Sequence, residues 1–324
     1  MKAPSYAEGV LAGDRRSVAR ALTLVESRRP EDSLAAGELL ARLWPASGRA
    51  DRIAVSGPPG AGKSCFIEAI GLEAVEQGRK VAVLAIDPSS PRSGGSLMGD
   101  KTRMPRLSQA ASALIRPSPA GDSVGGVAKR TREAITVMEA AGFDLVLIET
   151  VGVGQSEVAA SQLRDLLLLL VLPGSGDGLQ GIKRGVTELS DLFVVHKIDV
   201  QAEEAQRTAR ELEGALALLR PSQPPWKPRV LLASSVSGEG IQSVWEAISA
   251  HREATLPGRE ARRRAQQLYW FEQRLREQLW EEFTQRTEVK ARMPELASAV
   301  RSGRISADQA VSQLLGECRG NKCL

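Results

Sequence analysis

Gly57-Pro58-Pro59-Gly60-Ala61-Gly62-Lys63-Ser64 carries a glycine at each end of a short loop, then a lysine and a hydroxyl, in the pattern GxxxxGK[ST]. The apolar run Ile53 to Val55 leads into it, and helical spacing begins near Phe66, just past Cys65. Glycines let successive backbone N–H groups turn toward one point, and a helix N-terminus adds the positive end of its dipole there. In such a cradle Lys63 supplies charge to the β- and γ-phosphates of a nucleotide and Ser64 offers a hydroxyl to magnesium. The chemistry these residues suit is transfer of a terminal phosphoryl group, with Lys63 as its central cation.

Two further constellations define what the cradle would hold. The run Leu145 to Ile148 ends in Glu149-Thr150-Val151-Gly152, which places a carboxylate near the metal and a glycine N–H toward the γ-phosphate. The continuation Val153-Gly154-Gln155-Ser156-Glu157 suits a loop that reorders with that phosphate. The run Leu192 to Val195 is followed by His196-Lys197-Ile198-Asp199, close to Asn-Lys-x-Asp, and Ser234-Ser235-Val236 follows the last apolar run. A carboxylate at Asp199 accepts from the N1–H and 2-amino group of guanine, which adenine lacks, so the base is predicted to be guanine.

The elements needed to position these groups are legible as a pattern. Short apolar runs at Ile53–Val55, Val81–Ile86, Leu145–Ile148, Leu166–Leu172, Leu192–Val195 and Val230–Leu232 alternate with helix-length amphipathic stretches. Strands apolar on both faces imply a mostly parallel sheet sandwiched by helices, the α/β class of the P-loop NTPases. Ahead of it, Val18, Leu22 and Val25, then Leu34, Leu39, Leu40 and Leu43, show helical spacing on either side of Pro30. Beyond the proline-rich stretch Pro221–Pro228, Leu268, Phe271, Leu275, Leu279 and Phe283 mark a long amphipathic helix after Pro257, flanked by Trp270 and Trp280, with a further helical unit near Leu296 to Leu315. That stripe is expected to cover the chain's own core or a second subunit, the first being the usual outcome. The boundaries read from this pattern are 1–50 for a helical lead-in, 51–256 for the nucleotide domain and 257–324 for C-terminal helices.

Composition narrows the classes. With 324 residues the chain is long enough to bury its own core. Cys65, Cys318 and Cys323 form no CxxC pair, so reduced thiols and a cytoplasmic setting are expected, with Cys65 packed as a small apolar residue. The longest apolar run, Leu166–Leu172, is far short of a membrane span, and Asp14, Arg15 and Arg16 interrupt any early signal-like stretch. A net charge of +4 is modest, and the cluster Arg259, Arg262, Arg263 and Arg264 reads as a solvated turn before a helix. Few aromatic residues lie near it to stack on bases, so neither nucleic acid nor membrane is expected as a partner.

Three stretches carry a family likeness: Asp87-Pro88-Ser89-Ser90 with Gly94-Gly95-Ser96 and Gly99-Asp100-Lys101-Thr102-Arg103-Met104; Arg116-Pro117-Ser118-Pro119 with Gly125-Gly126-Val127; and Glu149 through Glu157. With Pro173-Gly174 and Gly181-Ile182-Lys183 they resemble the MeaB (ArgK-type) GTPases, chaperones of adenosylcobalamin-dependent acyl-CoA mutases such as methylmalonyl-CoA mutase. The resemblance implies that GTP hydrolysis gates cobalamin loading and protects a partner mutase. It further implies that Ser64, Asp87, Asp100 and Glu149 surround magnesium, with Asp100 and Glu149 serving catalysis, and that Asp199 reads guanine. Gly152, Gln155 and Glu157 would lie in one switch loop. Gly176, Asp177, Gln180 and Lys183 would lie in an additional switch running from Pro173 to Arg184. The C-terminal helices would form a homodimerisation arm. Two positions depart from the family: His196 stands where Asn is usual, leaving at most a base contact or an imidazole in place of a tether to the phosphate loop, and Gly178 stands where an acidic residue is frequent. Rival readings are a nickel-inserting GTPase, which the two histidines His196 and His251 equip poorly, and a GTP-dependent kinase linked to transport.

Overall fold

The computed structural model describes residues 4–27, 29–87, 104–119, 124–150, 162–174, 184–217 and 223–320. Its centre is a sheet of seven strands: β1 (Asp51–Ser56), β2 (Val81–Asp87), β3 (Ala113–Pro119), β4 (Leu145–Glu149), β5 (Leu166–Val171), β6 (Leu192–His196) and β7 (Arg229–Ala233). All pairs are parallel, in the order β3-β2-β4-β1-β5-β6-β7. Every residue of β4, β5 and β6 is buried, as strands covered on both faces must be.

Helices supply that cover. On one face Ile53, Val55, Leu145, Leu147, Leu166, Leu168 and Leu170 join a core with Phe66, Ile67 and Ile70 of α4 (Lys63–Glu76), together with Val244, Trp245 and Ile248 farther along the chain. Trp245 donates from its indole to the Ile70 carbonyl at 3.1 Å, so its one polar atom is satisfied inside this core. Residues of opposite pleat, among them Ala54, Ile148, Leu167, Leu169 and Phe193, are buried on the other face. There α6 (Val124–Ala140) and α8 (Ala202–Leu216) pack.

β3 is a strand that apolar periodicity does not announce. Arg116, Pro117 and Pro119 make the segment read as a loop, yet prolines are tolerated at a sheet edge, where one side of the ladder needs no donor. The lead-in contains one helix more than its two apolar segments suggest: α1 (Pro4–Leu11), α2 (Arg15–Val25) and α3 (Pro30–Leu43). Pro30 opens α3 at its first turn, where the missing N–H costs nothing. Arg15 reaches the carbonyls of Ala111 and Ala113 at 3.0 and 2.5 Å, and Arg116 pairs with Glu26, so these helices are fastened to the β3 edge. Between these elements lie α5 (Pro105–Gln109) and α7 (Arg184–Leu189).

The chain divides into two compact units, Met1–Ala261 and Arg262–Leu324. The division falls inside α9 (Ile241–Gln285), a single helix that continues through Pro257 where the sequence suggested a break, and the arginines placed in a turn are helical. Arg259 is not a solvated residue. It bonds Asp51 at 2.9 Å and the Ala50 carbonyl at 2.5 Å, and the same carboxylate takes Arg79 at 2.7 Å, a network that holds the helix past its proline. In the second unit, α10 (Thr287–Arg301) and α11 (Ala307–Gly320) pack together, and Trp270, Val289 and Leu296 are buried. The predicted stripe behaves otherwise. Leu268, Phe271, Leu275 and Leu279, with Trp280, are each 47–61% exposed, so the stripe is not buried within its own unit.

Candidate nucleotide site

The sheet order places the switch from one winding direction to the other beside β1, and the loops at the carboxyl ends of its strands converge there. β1 runs out at Ser56, and α4 begins at Lys63 after a loop of which Gly62 is the N-cap, at φ +85°. The first N–H groups of any α-helix lack intrahelical acceptors, so the start of α4 presents donors to the loop mouth. Lys63 Nζ donates to the carbonyls of Gly57 at 2.9 Å and Pro58 at 3.2 Å, which holds the ammonium across the cradle.

Parallel pairing sets Val55 level with Glu149, bringing the end of β4 beside the cradle. Ser64 Oγ donates to Glu149 Oε1 at 2.8 Å, and the carboxylate is buried. One hydroxyl and one carboxylate meeting at the head of a helix form a hard-oxygen donor set, which fits magnesium and would not select a soft metal. Thr150 follows as a buried anchor that motif reading passed over: its N–H and hydroxyl both donate to the Val55 carbonyl, at 3.1 and 3.3 Å.

On the other side of β1, β6 delivers the segment His196–Asp199. Lys197 sits at φ +65°, a conformation rare for residues with a side chain and concentrated at functional turns. The turn closes with Val200 N–H on the Lys197 carbonyl at 3.1 Å and leaves Asp199 exposed. After β7, Ser234 Oγ accepts from the N–H groups of Val236 and Ser237, both at 3.2 Å, and the loop so formed projects Val236, 86% exposed.

His196 ties these loops together. Its Nδ1 lies 2.7 Å from the Ala61 carbonyl in the phosphate cradle, and its Nε2 lies 2.7 Å from Ser235 Oγ and 3.2 Å from Ser235 N. A carbonyl only accepts, so Nδ1 carries the proton; Nε2 then accepts from the Ser235 N–H, which fixes one neutral tautomer. Burial pushes its pKa below the usual histidine range, and Lys197 acts the same way; the bond to Ala61 and the charge of Asp199 oppose them without prevailing. With both ring nitrogens engaged by protein, His196 bridges the phosphate loop and the loop after β7.

Of the residues expected at the site, the structure assembles Gly57 through Ser64, Glu149, His196, Lys197, Asp199, Ser234, Ser235 and Val236 around the carboxyl end of the sheet. Asp87 ends β2. Asp100, Gly152, Gln155, Glu157, Gly176, Asp177, Gln180 and Lys183 lie outside the described residues. Cys65 differs from expectation: its thiol is exposed, because Phe66 and Ile67 take the buried face of α4 and leave Cys65 on the open one. Among the described residues no group of three or more His, Cys, Asp or Glu side chains forms a metal cluster, and no helix is long and apolar enough to cross a membrane.

A parallel sheet with this cradle, lysine and carboxylate at its carboxyl edge defines a P-loop nucleoside triphosphatase. Within that class the chain belongs to the MeaB family, whose description is methylmalonyl Co-A mutase-associated GTPase and whose model matches residues 18–288. It is 44% identical to the GTPase ArgK of Escherichia coli over 270 residues, 82% of each chain. It is 42% identical to the mouse methylmalonic aciduria type A homolog, a mitochondrial protein, over 95% of this chain and 77% of that one. The crystal structure of a LAO/AO transport system kinase superposes with a TM-score of 0.78 at 33% identity, covering 98% of this chain and 97% of the other. The chain is accordingly a GTP phosphohydrolase that binds guanine nucleotide.

Proposed function

We propose that this GTPase grips magnesium-GTP in the Gly57–Ser64 cradle and uses its hydrolysis to time the loading of adenosylcobalamin into a partner acyl-CoA mutase, protecting that mutase from inactivation. The observation that supports the site best is the Ser64–Glu149 contact, which joins the helix that would hold the phosphates to the strand end that would hold the cation. Lys63, already lying over the loop carbonyls, would swing to the β- and γ-phosphates and balance the charge that develops on the leaving group. Ser64 and Glu149 would hold magnesium, with Asp87 and Asp100 added by family likeness, and the ion would supply Lewis-acid withdrawal of charge from the phosphates. Asp199 would read the N1–H and 2-amino group of guanine. The loops containing Gly152, Gln155 and Glu157, and Gly176, Asp177, Gln180 and Lys183, would carry the nucleotide state to the partner.

The partner reading rests on the family description and on the mouse relative's name. The homodimer reading draws on the stripe Leu268, Phe271, Leu275, Leu279 and Trp280, which a second copy would cover. The decisive assay follows phosphate release from γ-labelled GTP with and without magnesium. Label released as inorganic phosphate, lost in Lys63→Ala with circular dichroism unchanged, supports hydrolysis; label on an acceptor would instead favour the kinase reading. Adding each candidate mutase with adenosylcobalamin then tests the chaperone role. If GTP changes neither cofactor loading nor the decay of mutase activity, that role is refuted and hydrolysis stands.

A further inference from the structure

The imidazole of His196 joins three parts of the pocket: its own strand β6, the phosphate cradle through Ala61, and the loop after β7 through Ser235. It is 3% exposed and packs directly on the cradle, where a Cβ built on Gly62 would lie 2.9 Å from its Cε1 and 3.0 Å from its Nδ1. We propose that His196 is the positioning residue that locks the guanine-reading loop to the phosphate cradle, and that guanine nucleotide affinity therefore requires the neutral imidazole and falls when it takes a proton. This rests on the reading of the pocket as a guanine nucleotide site and adds to it a pH-dependent latch.

The bonding pattern decides the direction. In the neutral ring Nδ1 donates to Ala61 and Nε2 accepts from the Ser235 N–H and hydroxyl. Protonation turns Nε2 into a donor: Ser235 Oγ at 2.7 Å turns to accept from it, but the Ser235 N–H then faces a donor and loses its acceptor, which loosens the hold on the loop after β7. An asparagine here would donate through its amide and accept through its carbonyl, with no proton to gain. The imidazole makes the same pair of bonds conditionally.

The groups facing the ring leave it the titrating one. Lys197 and Asp199 flank it on its own loop with opposite effects. Lys63 turns its ammonium to the Gly57 and Pro58 carbonyls. From α4, Phe66 meets the ring edge-on at 5.6 Å between centroids, and β7 and its loop offer Ala233, Ser234 and Ser235, none of which ionises in this range. Desolvation holds the folded pKa below the unfolded value of about 6.5. The unfolded or unlatched ring thus binds the proton more readily, and the latch is complete above that value and lost as pH falls beneath it.

The test is binding of a fluorescent GDP analogue with magnesium between about pH 5.5 and 8.5, for the native protein, His196→Asn and His196→Ala. The nucleotide's own phosphates titrate in this range, so the readout is the affinity ratio between proteins at each pH, from which that term cancels. The native-to-Asn ratio should be near one at the alkaline end and fall below one toward the acid end, by less than about tenfold at about pH 5.5 because the ring titrates below its ordinary value; Ala should bind weakly throughout. A native-to-Asn ratio flat across the range overturns the latch while leaving the nucleotide site standing. Absence of guanine nucleotide binding by the native protein at every pH refutes the pocket itself, and the latch with it. Should the variants fold poorly, ¹⁵N spectra of the native protein resolve His196 from the only other histidine, His251. A pyridine-like Nε2 that protonates only below about pH 6.5 is expected, and an Nε2–H tautomer at neutral pH would overturn the proposal.

Discussion

Gly62→Ala and Gly60→Ala together separate backbone strain from packing inside the phosphate cradle. Both glycines lie in the left-handed region, at φ +85° and +79°, where an L side chain costs about 1–2 kcal/mol. Gly60 has nothing within 4 Å of a built Cβ, so its alanine bears that cost alone. At Gly62 the new methyl would meet the His196 ring at 2.9 Å, closer than side-chain carbons tolerate, and the ring is held on its far side by Ser235. It must give way, stretching the 2.7 Å bond to Ala61, and losing that bond adds about 1 kcal/mol. Urea unfolding without nucleotide should thus show about 1–2 kcal/mol lost for Gly60→Ala and about 2–3 kcal/mol for Gly62→Ala. In the His196→Ala background, Gly62→Ala should cost only the backbone share of about 1–2 kcal/mol, since the obstructing ring is gone. Equal losses at the two glycines, or no coupling in the double variant, would refute the claim that the imidazole packs on the cradle.

Three further outcomes test separate parts of the molecule. Asp199→Asn should weaken GTP on the order of a hundredfold and favour xanthosine triphosphate, whose 2-oxo group accepts from an amide; competition binding reads the exchange, and unchanged base preference refutes the role. Arg164→Ala should cost about 3 kcal/mol in denaturant unfolding, because it takes the guanidinium from a fully buried Asp191 carboxylate 2.9 Å away that also accepts from the Leu167 N–H and the Gln223 amide; a loss below about 1 kcal/mol would contradict a charge-paired interior there. Leu275→Glu should yield monomers in sedimentation at micromolar concentration with hydrolysis preserved, and an unaltered assembly state would remove the exposed stripe as the dimer surface.

Much of the site is local and therefore open to sequence reading. The cradle is contiguous, so its glycines, Lys63 and Ser64 identify each other by spacing, and the apolar runs of β1, β4, β5 and β6 declare a buried parallel sheet because both faces need cover. β3 was opaque because an edge strand relaxes the rule against proline, and α9 because the Arg259–Asp51 network holds together a helix that local propensity would break at Pro257.

Residue types and spacing by themselves determined the reaction class and the base, since those depend on which chemical groups exist and on the short loops that carry them. Tertiary structure alone decided how those groups meet. Ser64 reaches Glu149 across 85 residues and His196 reaches Ala61 across 135, because parallel register stacks the carboxyl ends of distant strands at one edge. It also decided that His196 bridges two loops and that the apolar stripe of α9 stays exposed. Neither is encoded in spacing, because both depend on what lies opposite a side chain once the chain has folded.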